Sequence, residues 1–158
     1  MENKKIIRSF RDLDVYQNAS KACKIVFEKI LPKIPKSEEK DLRDQLSRSS
    51  KAVPRLISEG YAKKHQVKGF QKYLDDAHAE SNETIVGLEQ CVDLYNIEPI
   101  ICRNLIDLYD KISRQLYKLA LAWDNFNNDR KAIKPKSVKR ITLRAALPLN
   151  NNLLNKSK

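Results

Sequence analysis

The sequence FQKYLDDAHAESNETIVGLEQCVDLY, residues 70–95, decides the fold class. Apolar or small side chains recur in it at alternating spacings of three and four, the period of one face of an α-helix. The residues of this series are Phe70, Leu74, Ala77, Ser81, Thr84, Leu88, Cys91 and Tyr95. The segment therefore predicts a long amphipathic helix with a small and polar centre.

Three neighbouring segments have the same helical period, and none of the four has the period of two that indicates a strand. The predicted helices span about residues 12–31, 37–59, 70–95 and 98–123. Pro32 ends the first, Ser37 begins the second and Gly60 closes it. The short connections predict an all-α fold, an antiparallel up-down-up-down four-helix bundle over residues 1–123.

The length and composition suit one domain with a charged extension. The chain has 158 residues, 41% of them hydrophobic, which is enough for a single core. Its net charge is +11, and residues 124–158 hold nine cations against two acids. This segment also has two prolines and little periodicity, so we expect it to be a basic, largely disordered and flexible C-terminal tail.

The same composition argues against a membrane or secreted protein. No stretch approaches the roughly 18–20 uninterrupted apolar residues of a membrane span, and the N-terminus does not resemble a signal peptide. The three cysteines are far apart, without a C-x-x-C pair, and are expected to be reduced thiols. We therefore expect a soluble, cytoplasmic protein.

Cations at helical spacing are the most informative functional signal. Arg48, Lys51 and Arg55 lie three and four residues apart, so they form one row on the second predicted helix. Further candidate cations are Lys63, Lys64 and Lys68 in the loop that follows, and Lys136, Lys139, Arg140 and Arg144 in the tail. Such clustering favours contact with the phosphates of RNA or DNA. The alternative is a solvated face balanced by acids at the start of the helix, and no aromatic residues are interleaved to stack on bases.

Catalytic patterns are absent from the sequence. No phosphate-binding glycine loop or nucleophile motif occurs, and a di-iron site would need more than the one pair, Asp75 and His78, at carboxylate-x-x-His spacing. We therefore expect no enzymatic activity, no cofactor and no metal.

Some apolar residues lie outside the main helical series. Val15, Phe27, Ile85 and Tyr117 are examples, and they widen the apolar face of their helices. A wide intramolecular core would explain them, and so would a second buried surface between subunits.

Two segments carry a family resemblance. LRDQLSRSSKAVPRLISEGYAKK, with Gln45-Leu46, Arg48, Pro54, Ile57 and Glu59-Gly60-Tyr61, and the adjoining KGFQKYLDDAHAESNETIVGLEQC are the telling pieces. Over roughly residues 10–123 the chain resembles the bacterial four-helix-bundle proteins associated with intervening sequences in large-subunit ribosomal RNA genes. That family also includes the accessory variability determinant of diversity-generating retroelements.

The resemblance implies a non-enzymatic, ring-like homopentamer with a basic surface that binds nucleic acid. For the retroelement members, the resemblance implies a protein that acts together with a reverse transcriptase and its template RNA. Arg48 matches an arginine of the family's second helix, and Lys63 and Lys64 follow the Glu-Gly pair where the family has a basic residue. Our first hypothesis is therefore a homo-oligomer that holds RNA or an RNA–DNA hybrid as an accessory to a reverse transcriptase or ribonucleoprotein. The alternative is a protein-interaction scaffold without direct nucleic-acid binding.

Overall fold

A computed structural model describes residues 6–66 and 68–133 of the chain. This part of the chain is helical, with four long helices and no strand. The helices are α1 (Asp14–Ile25), α2 (Leu42–Ala62), α3 (Gly69–Tyr95) and α4 (Pro99–Ile133). The predicted all-α class and the number of long helices are confirmed.

The first predicted helix is divided into several turns. A 3-10 turn, Phe10–Asp12, precedes α1 and is capped by Ser9, while Leu13 has an extended backbone that separates the two. After α1 the chain continues as a π turn over Val26–Ile30 and a 3-10 turn over Leu31–Lys33. Pro32, which cannot donate a backbone hydrogen bond, lies in this last turn, so the helix ends close to the predicted position.

The second predicted helix was wrong at both ends. The chain around Ser37 forms a separate 3-10 turn, Lys36–Glu38, and α2 begins only at Leu42, because the backbone of Asp41 is not helical. Gly60 does not close the helix but lies buried within it. A Cβ at Gly60 would lie 2.7 Å from the Cβ of Tyr73, so the glycine marks the close approach of α2 to α3.

The junction between α3 and α4 was predicted correctly. Asn96 adopts the left-handed conformation, with φ of 51°, at the end of α3. Its N–H bonds the carbonyl of Val92, which is the hydrogen bond of the αL helix cap, and the N–H of Ile97 bonds the carbonyl of Cys91. Pro99 then begins α4, where a missing N–H has no cost.

The fourth helix is longer than its apolar series. It continues past Trp123 to Ile133, so the first residues of the segment taken as a tail are helical. The remaining predicted tail, residues 134–158, lies outside the described residues, as do its candidate cations.

One core joins the four helices. Helix α3 packs against α2 and α4, and α1 packs against the same two helices. The largest fully buried side chains include Phe70, Leu46, Ile57, Tyr109 and Leu116. Val15 also belongs to this core, whereas Phe27 and Tyr117 remain exposed, so the residues outside the main series divide between core and surface.

The small centre of α3 packs through hydroxyl groups. The Oγ1 of Thr84 lies 2.9 Å from the Oγ of Ser49 on α2, and the Oγ of Ser81 lies 3.0 Å from that of Ser113 on α4. Hydrogen bonding satisfies these four buried hydroxyls and lets the helices approach closely. In the part of the chain that the structure describes, no helix has both the length and the apolar character needed to cross a membrane.

Candidate nucleic-acid interface

The three cations predicted on the second helix share the exposed side of α2. Arg48, Lys51 and Arg55 are all exposed, with 77% of the Arg48 side chain and 67% of the Arg55 side chain accessible. The opposite side of α2 carries buried residues such as Leu46 and Val53. Burial of the apolar face therefore sets the orientation of α2 about its own axis, and the three cations face the solvent. We call these three residues the α2 row.

Two members of the α2 row face carboxylates. Arg48 lies 3.5 Å from Asp44, and Arg55 lies 3.7 Å from Glu59, both as i,i+4 pairs on the helix surface. Exposed pairs of this kind contribute at most about 1 kcal/mol, so they leave the guanidinium groups available for stronger anions.

The same two arginines border a polar groove of about 390 Å³ between α2 and α3. Glu80 and Glu83 of α3 line its other side. Burial and the neighbouring Glu83 raise the pKa of Glu80, while Arg55 and Arg48 oppose that rise. This groove is therefore a mixed-charge surface rather than an anion site.

Lys51 points to a different surface, a groove of about 510 Å³ between α1 and α2. Its Nζ lies 5.5 Å from the ring centroid of Phe27, close enough for a cation–π contact. We call this the aromatic groove, and its walls include Phe10, Tyr16, Phe27 and Pro54. The cations at its border are Lys24, Lys51 and Arg55. Two members of the α2 row thus border this groove, and one of them, Lys51, contacts an aromatic ring.

Two of the three loop cations, Lys63 and Lys64, also lie against aromatic rings. The Nζ of Lys63 donates to the hydroxyl of Tyr73, which raises the pKa of Lys63, and lies 4.6 Å from the ring centroid of Tyr73. Lys64 lies 3.7 Å from the ring centroid of Tyr61. Lys68 is exposed just before α3. Since Lys63 follows Arg55 by eight residues, the loop extends the basic surface about 12 Å along the α2 axis.

The predicted tail cations, Lys136, Lys139, Arg140 and Arg144, lie outside the described residues. Nothing in the structure therefore brings them to, or separates them from, the α2 row.

The groups considered for catalysis do not converge. Among residues 6–66 and 68–133, no three His, Cys, Asp or Glu side chains are placed to hold a metal ion. His78 borders a surface pocket with Asp110 and Arg114, and Asp75 is not among its lining residues. Cys91 is fully buried, and burial raises the pKa of its thiol to about 12, with nearby Cys102 adding to the rise.

Sequence reasoning missed the aromatic side of the interface. No aromatic residue lies between the cations of the α2 row in the sequence, but α1 and its adjoining turns supply Phe10, Tyr16 and Phe27 from a distant segment. The available signal was Phe27, an aromatic residue outside the apolar series of its helix. Its position was compatible with a wide core and with a surface between subunits, and it did not identify its neighbours in the fold.

The fold and surface define an all-α protein of four long helices with exposed cations along one of them. The chain matches the model of the family described as 23S rRNA-intervening sequence protein over residues 11–118, and it belongs to that family. The resemblance to the proteins of ribosomal RNA intervening sequences is thereby confirmed over nearly the same range. No curated protein and no solved structure is significantly similar to the chain.

Proposed function

We propose that the protein is a non-enzymatic, cytoplasmic bundle that binds RNA or an RNA–DNA hybrid through phosphate contacts. The observation that carries the proposal is the α2 row, three exposed cations presented together on one helix. Each phosphate that such cations neutralise releases condensed counterions, which favours binding at low salt. The family description, 23S rRNA-intervening sequence protein, is compatible with association with RNA.

The proposed architecture is an antiparallel up-down-up-down bundle with a basic tail. The contacts of α1 with α2 and α4, and of α3 with the same helices, support this order. Residues 63–68 and 96–98 are connections too short to return a parallel helix along the bundle. A basic segment after α4 would add phosphate contacts, because these electrostatic contacts do not require a fixed structure in the free protein.

A gel-shift titration at rising salt tests the binding. With single-stranded RNA and with an RNA–DNA hybrid, we expect affinity to fall as a power of the salt concentration. The slope reports the number of phosphates contacted. No binding at low salt, or binding indifferent to salt, would reject the proposal.

Neutral substitutions of the α2 row test whether it is the surface that binds nucleic acid. Arg48→Gln, Lys51→Gln and Arg55→Gln together should reduce the salt slope by up to about three, since each phosphate-contacting cation contributes about one. Glutamine is preferred to glutamate because a new carboxylate would face Glu80 and Glu83 across the polar groove.

A matched control removes three exposed cations from α4, by Arg103→Gln, Lys111→Gln and Arg114→Gln. Both triple variants change the net charge equally. Equal loss of affinity in the two would show that only total charge matters and would exclude the α2 row as the site.

We further propose a homo-oligomer, with a pentamer as the expected state. Large apolar side chains are exposed on α3 and α4, including Val86 at 50%, Leu94 at 66% and Ile100 at 75%. Exposed apolar side chains of this size are covered when subunits associate, which supports contact between copies of the chain. Light scattering should give about 92 kDa, five times the 18.3 kDa chain. A monodisperse monomer at micromolar concentration would contradict this part of the proposal.

The same exposed apolar residues support the second candidate, a protein-interaction scaffold without direct nucleic-acid binding. In either case the proposed partner is a reverse transcriptase or another ribonucleoprotein component. Pull-down with the full chain before and after ribonuclease treatment separates the two functions. Partner capture that survives ribonuclease, together with no gel shift, would favour the scaffold.

A further inference from the structure

The aromatic groove combines aromatic rings with cations, whereas the α2 row supplies cations alone. Its walls present the rings of Phe10, Tyr16 and Phe27, and its border carries ammonium and guanidinium groups. Among the described residues that line it, none is acidic. The polar groove on the other side of α2 differs in this respect, because Glu80 and Glu83 line it.

The rings are held in place by the fold. Phe10 and Tyr16 pack edge to face, with centroids 4.8 Å apart, so the 3-10 turn before α1 is fixed against α1. Phe27 is 38% exposed in the π turn and lies beneath the ammonium group of Lys51. A flat π system stacked on this face of Phe27 would take the place of the Lys51 ammonium group, and the flexible Lys51 side chain would then be available to a flanking phosphate.

The border cations have only weak competitors. Lys24 lies 3.7 Å from Glu28 and Arg55 lies 3.7 Å from Glu59, both exposed i,i+4 pairs. Pairs of this kind contribute little, so a phosphate can replace either carboxylate. The volume of about 510 Å³ is within the range of small-ligand pockets, roughly 300–1,000 Å³.

We infer that the aromatic groove accepts unpaired bases of a single-stranded nucleic acid, with the flanking phosphates on Lys24, Lys51 and Arg55. This inference rests on the proposed function and specifies its ligand. A base-paired duplex keeps its bases inside the stack and offers the groove only phosphates, whereas a single strand can place a base on Phe27. Base–aromatic stacking is tolerant of sequence, so the groove distinguishes single strands from duplexes and does not distinguish one base from another.

A comparison of charge-matched strands tests the inference. The probes are a single-stranded oligonucleotide and an abasic strand with the same number of phosphates, each bound to the wild type and to Phe27→Ala. We expect the variant to lose affinity for the base-bearing strand by about 5- to 150-fold, the span of base–aromatic stacking, and to bind the abasic strand as the wild type does. Tyr117→Ala, which removes a 60% exposed ring on α4, is the matched control and should change neither.

The possible results separate the two proposals. If the wild type binds neither strand at low salt, the proposed function fails, and this inference with it. If it binds both strands equally, or if Phe27→Ala weakens both equally, phosphate binding stands and the inference is overturned. If Phe27→Ala abolishes binding of a labelled Glu/Leu-rich peptide and leaves the base-bearing strand unaffected, the groove is a site for an acidic protein partner and the inference is overturned.

The rate at which the Cys23 thiol is labelled provides a second measurement, made on the wild-type protein. Cys23 lines the aromatic groove and is half-buried, while Cys91 and Cys102 are fully buried. Burial raises the pKa of the Cys23 thiol, so maleimide labelling is best followed at pH 8 or above. We expect the base-bearing strand to slow labelling of Cys23 more than the abasic strand does. Equal protection by the two strands, or none, would overturn the inference.

Discussion

Replacing Gly60 with alanine should lower the free energy of unfolding by about 2 kcal/mol, because α2 and α3 are closest at this residue. A Cβ there would lie 2.7 Å from the Cβ of Tyr73 and 2.9 Å from the Cδ2 of Phe70. The Cβ of Tyr73 moves only with the backbone of α3, so the cost lies near the top of the range for overpacking, about 3 kcal/mol. The better helix propensity of alanine returns about 1 kcal/mol.

Gly87→Ala is the matched control, on the neighbouring helix. There the added Cβ would lie 3.1 Å from the Cδ1 of Leu46, the far end of a flexible side chain. A small rotation relieves that contact, so the gain in helix propensity should leave stability within about 1 kcal/mol of the wild type. Urea unfolding followed by circular dichroism measures both variants. A Gly60→Ala protein as stable as Gly87→Ala would refute the close-packing argument.

Three further predictions concern the core. Burial holds the pKa of Cys91 at about 12 against 9.0 for an ordinary thiol. The contribution of Cys91 to stability is therefore fully present well below pH 9 and should decline by about 3 kcal/mol by pH 11, since the folded state keeps the proton that the unfolded state loses. Cys91→Ala should show a shallower decline in urea unfolding at pH 8 and 11, and equal declines would contradict the burial argument. A double-mutant cycle with Ser49→Ala and Thr84→Val should give a coupling energy of about 1 kcal/mol, because their hydroxyls lie 2.9 Å apart in the core; additive effects would mean that the contact contributes nothing. Tyr109→Phe should raise the free energy of unfolding by about 1 kcal/mol, since the buried hydroxyl has no hydrogen-bond partner among the described residues; a loss of stability in thermal unfolding would disprove this.

The fold was predictable because helical periodicity is a local property. The series from Phe70 to Tyr95 predicted both ends of α3 closely. The errors arose where tertiary contact overrides a local signal. In the sequence, Gly60 looks like the residue that ends a helix. In the structure it lies within α2, where the absence of a Cβ makes room for Phe70 and Tyr73 of α3. The start of α2 was misplaced because Ser37 is a common capping residue that here lies in a 3-10 turn.

The candidate site was predictable only in part, for the same reason. The spacing of Arg48, Lys51 and Arg55 predicted a shared face, and all three are exposed on one helix. Their neighbours come from other helices, which spacing within one helix cannot reveal. Glu80 beside the arginines and Phe27 beside Lys51 both depend on how α2 packs against α3 and α1.

These neighbours determine which side of α2 a polyanion would use. On the α3 side, a phosphate near Arg48 would also approach Glu80 and Glu83, and the repulsion would offset much of the attraction. On the α1 side, Lys51 and Arg55 border a groove whose described lining residues include no acid. A strand bound by the proposed mechanism would therefore follow the α1–α2 surface. Lys51→Gln should then weaken binding more than Arg48→Gln in the gel shift, and the reverse order would place the strand on the α3 side.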